Sequence, residues 1–441
     1  MKNIQLLLRQ HVGAPCAPVV KVGDIVKRGT LVAAPTGLGA NIFSSVDGTV
    51  VEIAEDRVVI EPAAVQSDDF VQIPEGTKLE MVKAAGIVGM GGAGFPAGVK
   101  FDVHWQNEGY VLVNASECEP GLKHNIMQLE QDAAKIVRGT KYIMEISGAA
   151  EGIIAVKKKN AAAVAALDKA LEGETVVRRQ LLPDFYPAGD ERAIVRECLG
   201  IELRPDQLPT AAMAIVSNLE TVARVAEAVE ERKPSFLKNV TVRGKLVGGG
   251  EPHVLMDVPV GMAVSDVIAM AAEIDGEYGE IIMGGTYTGL PCSLDDPIKK
   301  MTGAIYVTEP FADLGKAKAG LLVCASGGNI DRLRGIAAHY NADVVCECFC
   351  ENAEEQKNGA RKCKRPGLCP GQEANLAAIR EAGAEYVIFG CCSDCTNNVV
   401  NNAAGLKLIH QTDHALRAAG EPLIREWDAP MNISQDINVA D

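Results

Sequence analysis

No apolar run in the 441-residue chain reaches the ~18–20 residues needed to cross a bilayer, so no transmembrane segment is expected. The opening stretch, MKNIQLLLRQHVGAPC, lacks a signal peptide's apolar region and small-residue cleavage site, because Arg9 and His11 interrupt it. A basic excess is missing as well: 43 Lys and Arg against 58 Asp and Glu give a formal net charge of −15. That balance disfavours wholesale binding of nucleic acid, whose phosphates select a basic face. These absences predict a cytoplasmic protein with no nucleic-acid partner. Thiols stay reduced in that compartment, so the 13 cysteines do not read as a disulfide framework. No low-complexity tract divides the chain. Its length exceeds one core of ordinary size, and three or four domains are expected.

Four textures follow one another. The segments VVKVGDIVKRGTLVAAP (19–35) and SSVDGTVVEI (44–53) set β-branched residues around glycines suited to turns. The pattern is similar to the barrel-sandwich hybrid fold of biotinyl and lipoyl carriers. A carrier needs a lysine on its hairpin, and TGLGANIF (36–43) has none, so residues 1–66 read as a structural or docking domain. From 78 to 236, short apolar strands alternate with helical patterns. YVLVN (110–114) and IIAVK (153–157) are strands, and Ile126, Leu129, Ile136, Ile143 and Ile146 follow helical spacing. This alternation predicts a parallel, Rossmann-like α/β sheet whose ligand lies beyond the strands' carboxyl ends. Residues 237–312 read as a compact α+β module with a helix at 265–274, and residues 316–441 as a cysteine-rich α/β domain.

The sharpest motif is GMGGAGFPAGVK (89–100). Gly91, Gly92 and Gly94 remove Cβ atoms so that backbone N–H groups can approach an anion, and Lys100 can offset part of a phosphate's charge. The spacing does not match the phosphate loop of nucleotide triphosphatases. Three more segments follow in order: NASECEPG (114–121), YPAGDE (186–191) and SNLETV (217–222). Together the four resemble the signature segments of the Rnf complex C subunit and of the NADH-oxidising flavoprotein subunit of complex I. The Rnf C resemblance extends over residues 1–310 and identifies 237–312 as similar to the β-grasp domain called SLBB. It implies FMN contacts from Gly91, Gly92, Gly94, Lys100, Asn114, Glu117, Gly189, Glu191, Asn218 and Thr221, with Glu119 and Asp190 facing bound NADH. Ser116 stands where complex I proteins carry an acidic residue, and Asp190 where they usually carry Glu.

The C-terminal end departs from that family. Paired ferredoxin motifs of the C-x₂-C-x₂-C-x₃-C-P type are missing from 311 to 441. In their place stand Cys324, Cys346, Cys348, Cys350, Cys363, Cys369, Cys391, Cys392 and Cys395. Cys324, Cys346 and Cys391 each follow a predicted parallel strand, which places them on one sheet edge. Alternation within CECFC sets its three sulfurs on one face. Cys392-x-x-Cys395 opens a predicted helix, whose N-terminus favours thiolate, and the cations of RKCKRPGLC do the same for Cys363 and Cys369. Three readings stay open: a redox dithiol relay through Cys392, Cys395 and Cys324; an iron–sulfur cluster drawing on Cys346, Cys348, Cys350, Cys363, Cys369 and Cys391; or structural zinc.

Over its whole length the chain resembles the proline reductase-associated electron transfer proteins, some of which carry selenocysteine; none is written here. The resemblance implies electron flow from NADH through FMN and the C-terminal cysteines to D-proline reductase or another soluble reductase. A competing reading is a non-catalytic, zinc-holding docking or assembly scaffold. The oligomeric state is left open.

Overall fold

Apolar runs such as VLV (111–113) and IIAV (153–156) have no polar alternation, which suits strands covered on both faces. In the computed structural model, which describes residues 2–357 and 359–424, they form the centre of a four-stranded parallel sheet. Its order is Val177–Leu182, Glu151–Lys157, Tyr110–Ala115, Ala214–Asn218. Val111, Val113, Ile154 and Val156 pack under the helices His124–Ser147, Ala161–Ala170 and Leu219–Glu230. Leu112, Ile153 and Ala155 face the opposite side, where the helix Glu191–Leu199 supplies Ile194 and Val195. Chain order reverses between Tyr110–Ala115 and Ala214–Asn218, so a crevice opens beyond the carboxyl ends of those two strands.

The first 62 residues build two small antiparallel sheets, one of four strands and one of three. Their core (Ile4, Leu6, Val32, Ile60) is continuous with that of the module after residue 236, through Val240, Val258 and Ile305. That module is a five-stranded mixed sheet ordered His253–Pro259, Leu237–Gly244, Ala304–Val307, Ile281–Met283, Leu290–Cys292, with the helix Val264–Ala271 against it. Lys300 pins these parts to the parallel sheet's glycine loop: its buried Nζ donates to Asn41 O (2.6 Å) and Gly86 O (2.7 Å).

The last domain repeats the architecture of the second. Its parallel strands are ordered Asp343–Phe349, Lys318–Val323, Tyr386–Gly390, Lys407–His410. Here the reversal falls between Lys318–Val323 and Tyr386–Gly390, and Cys324 and Cys391 are the residues that follow them. Cys346 differs from expectation. The strand does not stop before it but runs on to Phe349, because Val, Cys and Phe all suit a pleated surface and the pairing with Lys318–Val323 continues. Cys350 takes the place at the strand's carboxyl end. The stretch 425–441 of the expected cysteine-rich domain lies outside the described residues. Among the described residues, no helix is long and apolar enough to cross a membrane.

Candidate functional site

Two groups of candidate residues meet where the parallel-sheet domain touches the last domain, through Tyr186 and Ser393. The first lies at the head of the Tyr110–Ala115 and Ala214–Asn218 strands. Asn218 caps the helix Leu219–Glu230, accepting from Glu220 N (3.0 Å) and Thr221 N (3.4 Å). Thr221 Oγ1 accepts from Met90 N at 2.9 Å, which holds the glycine loop against the helix N-terminus. A Cβ at Gly91 would stand 3.0 Å from Asn218 Cβ and 3.1 Å from its Nδ2, so only glycine lets the loop lie this close. Gly92 has φ +113°, a conformation other residues rarely adopt, and nothing lies within 4 Å of its missing side chain. A glycine loop with open space, set on the positive end of a 12-residue helix, fits a phosphate.

The other wall is a knot of short contacts. Asn114 Nδ2 donates to Gly189 O (2.9 Å), while Asn114 Oδ1 accepts from Ser116 N (3.0 Å) and Ser116 Oγ (2.8 Å). A Cβ at Gly189 would meet Cys118 Sγ and Ser116 Oγ at 2.9 Å. Glu117 has φ +38° and a side chain only 8% exposed, and its Oε2 makes no hydrogen bond among the described residues; His124 Nδ1 lies 3.8 Å away. Burial pushes this carboxyl up to about 7, against the opposing pull of Asn125 and Lys238. A buried carboxylate oxygen left without a partner in a glycine-walled crevice fits a site built for a polar ring system.

The predicted residues divide as follows. Gly91, Gly92, Asn114, Glu117, Gly189, Asn218 and Thr221 border this crevice, whereas Gly94 turns to the N-terminal domain: a Cβ there would meet Met301, and its carbonyl accepts from Val12 N (2.9 Å). Lys100 and Glu191 pair with each other, Nζ to Oε1 at 2.5 Å. Asp190 caps the helix Glu191–Leu199 by accepting from Arg192 N and Ala193 N. Glu119 is spoken for: its carboxylate accepts from Tyr287 N (2.9 Å), Thr288 N (3.0 Å) and Thr288 Oγ1 (2.7 Å).

The second crevice is a nest of thiols. The sulfurs of Cys324, Cys391 and Cys395 all lie within 4.8 Å of one another, and each residue is buried. Hydrogen bonds from Cys350, Cys391, Cys392 and Cys395 hold the Cys324 thiol far below its usual range. Cys391, Cys392 and Cys395 are pushed up, Cys391 chiefly by burial and the other two by the contact with Cys324. Cys369 is lowered by its bond to Cys395. Cys363 is raised by burial, because its cationic neighbours look elsewhere: Arg361 to Glu355, Lys362 to Pro205 O and Arg365 to Glu202. Cys346 and Cys348 stand outside the nest. The donor set, thiols at the carboxyl edge of a sheet, suits soft metals and iron–sulfur clusters, with Cys324, Cys391 and Cys395 as the shared core and Cys350, Cys369 and Cys392 each bonded to one of them.

Tyr186, at the head of the YPAGDE segment, joins the two sites through residues that the sequence did not mark, Tyr287 and Ser393. Tyr186 N donates to Ser393 Oγ (2.9 Å), and Ser393 N donates to Tyr186 O (3.1 Å). The Tyr186 ring stacks on Tyr287 with centroids 3.7 Å apart, and Tyr287 OH donates to Cys391 O at 2.9 Å. Both tyrosines share a core with Cys324, Cys391, Cys392 and Cys395, and Cys118 packs against it. Their pairing spans about a hundred residues of chain, and no local periodicity signals it. GGTYTG (284–289) offers only the hint of a glycine-flanked aromatic.

Residues 82–227 match the Nuo51 FMN-binding domain, and residues 1–72 match the RnfC barrel sandwich hybrid domain. The chain thus carries an FMN-binding domain. It is 41% identical over 229 residues to the cobalamin reductase PduS of Salmonella typhimurium, covering 52% of this chain and 49% of that protein. Over 361 residues it is 33% identical to the C subunit of the proton-translocating ferredoxin:NAD(+) oxidoreductase complex of Clostridium ljungdahlii, covering 77% of this chain and 76% of the relative. The Na(+)-translocating counterpart of Acetobacterium woodii is 31% identical over 315 residues, covering 67% and 70%. The chain spans about half the length of the cobalamin reductases it matches. These relatives carry the likeness to Rnf C subunits and cobalamin reductases, a coarser result than the proline reductase-associated group.

Proposed function

Because the chain belongs to the family of the C subunits of Rnf-type oxidoreductase complexes, we propose that it is an electron-transfer flavoprotein in which NADH is the donor and the C-terminal thiol nest is the exit. The observation that carries this reading is the contact between the two crevices. The segment that walls the first, Tyr186 to Gly189, is hydrogen-bonded through Tyr186 to Ser393, between Cys392 and Cys395 of the second.

FMN, when bound, supplies hydride acceptance and one-electron release. The chain's own residues do the rest. The glycine loop and the helix capped by Asn218 hold the phosphate, and Lys100 adds positive charge nearby. Asn114, Gly189 and Glu117 line the ring's crevice. The stacked tyrosines exclude water between crevice and nest. Cys324, Cys391 and Cys395, with Cys350 or Cys369, hold an iron–sulfur centre or cycle as a dithiol. The working units are 1–66, 78–236, 237–312 (read as β-grasp) and the domain from 316 onward. Whole-chain resemblance favours D-proline reductase as the acceptor, whereas the likeness to PduS favours a corrinoid.

A second reading has its own observation. Three sulfurs within 4.8 Å suit one tetrahedral ion, since Zn–S bonds of ≈2.3 Å give sulfur edges of about 3.8 Å. On that reading the nest holds zinc and the chain is a docking scaffold. Anaerobic purification separates the two. Bound FMN that bleaches with NADH, with iron in the protein or redox-active thiols, supports electron transfer. Zinc with no flavin sinks it. Replacing Lys100 and Asn218 together is expected to release FMN, and full retention would count against the assignment. Cobalamin and D-proline reductase, offered in parallel to the NADH-reduced protein, identify the acceptor.

A further inference from the structure

The strand Asp343–Phe349 is the edge of the C-terminal sheet, bonded to Lys318–Val323 on one side only among the described residues. Cys346 and Cys348 lie on it two residues apart, hence on one face, and their thiols hydrogen-bond each other. Both are half-buried, and Cys348 Sγ sits 3.8 Å from Asn375 O of the helix Glu373–Glu381. Two residues further on, Cys350 is buried and bonded to Cys324. One edge strand therefore carries a row of three sulfurs leading from a partly open surface to the closed nest.

We propose that Cys346 and Cys348 are a second thiol site, an accessible redox dithiol that reduces a disulfide-bearing partner. In the step, a bond forms between the Cys346 and Cys348 sulfurs as the partner's S–S bond breaks. Two electrons and two protons pass to the partner, which leaves as two thiols. The nest itself cannot meet such a partner, since Cys324, Cys391, Cys392 and Cys395 are each at most 2% exposed. Residues i and i+2 of an extended strand have Cα atoms ~6–7 Å apart, at the long limit for a disulfide. The oxidised pair is consequently strained and readily reduced, as exchange disulfides are and structural ones are not. Re-reduction rests on the function proposed above: two electrons and two protons return from the flavin through the nest and Cys350.

The test uses the full-length protein, reduced anaerobically and exposed to bis(2-hydroxyethyl) disulfide. Remaining thiols are then alkylated and the digest is read by mass spectrometry. The expected result is a peptide containing Cys346 and Cys348 that is lighter by two hydrogens, with the nest cysteines not joined to them. Recovery of both residues fully alkylated overturns the proposal, as does a disulfide confined to the nest. The variant with Cys346→Ser and Cys348→Ser is expected to keep its FMN and visible spectrum while losing NADH-driven disulfide reduction; unchanged turnover also overturns it. If the pair oxidises once per chain but NADH never restores it, the dithiol stands and the flavin-to-nest route fails.

Discussion

Gly189→Ala isolates the fit of the first crevice. Gly189 does not occupy the left-handed region that favours glycine, so alanine adds volume there without adding backbone strain. The new methyl would lie 2.9 Å from Cys118 Sγ, 2.9 Å from Ser116 Oγ and 3.0 Å from Asn114 Nδ2. None of these is the far end of a long, flexible side chain, and two belong to the knot in which Asn114 joins Ser116 to Gly189 O. Overpacking of this kind costs about 1–3 kcal/mol. If the cost falls on the bound state, FMN affinity drops by about 5- to 150-fold, at 1.4 kcal/mol per decade. Titration of flavin-free protein with FMN, followed by quenching of flavin fluorescence, reads the change. Adding Cys118→Ala removes one clashing atom and is expected to recover part of the loss. An affinity within twofold of the parent for Gly189→Ala, or no recovery in the double variant, refutes the steric reasoning.

Lys238→Met leaves the carboxylate of Glu220, fully buried in the first turn of the helix Leu219–Glu230, with only Arg224 and Asn239 N for company. Losing one partner of a buried pair costs about 3–5 kcal/mol. Those remaining bonds place the loss at the lower end, and adding Glu220→Leu should restore most of the urea midpoint. Glu280 is held down to about 2: burial opposes its ionisation, but hydrogen bonds from His414 and Arg332 prevail. Its folded value lies below the ordinary 4.5, so its contribution is complete above pH 4.5 and disappears as pH falls toward 2. That is about 3 kcal/mol of attachment between the C-terminal domain and the mixed sheet. Glu280→Gln should flatten the acid-unfolding profile in that window, and an unchanged profile would contradict the assignment. Gly335 lies inside the helix Ile330–His339 with nothing within 4 Å of its missing Cβ. Gly335→Ala should stabilise the protein by up to about 1 kcal/mol, read as a higher melting temperature, and a loss would show that the site is not open.

Much of this arrangement is legible in the sequence because it is local. Glycines that crowd a helix N-terminus, apolar runs too uniform for a half-exposed sheet, and cysteines just after LLV and IFG all depend on near neighbours. What stayed hidden is held by distant pairs. Periodicity sets Cys346, Cys348 and Cys350 on one face, but only the strand's length and its pairing with Lys318–Val323 decide that Cys350 alone reaches Cys324. The resemblance sets Glu119 facing bound NADH, yet the backbone of Tyr287 and Thr288 claims it from 168 and 169 residues away. The cations of RKCKRPGLC show the same limit. Charge near a thiol in sequence says little when Arg361, Lys362 and Arg365 each find a carboxylate or carbonyl of their own.

The seat of Tyr287 also bears on how the protein is made. Its ring rests on Tyr186, its hydroxyl reaches Cys391 O, and its backbone N–H holds Glu119, so three domains close over the thiols at one residue. Any metal or cluster destined for the nest must enter before that closure, or wait for the 284–289 loop to lift.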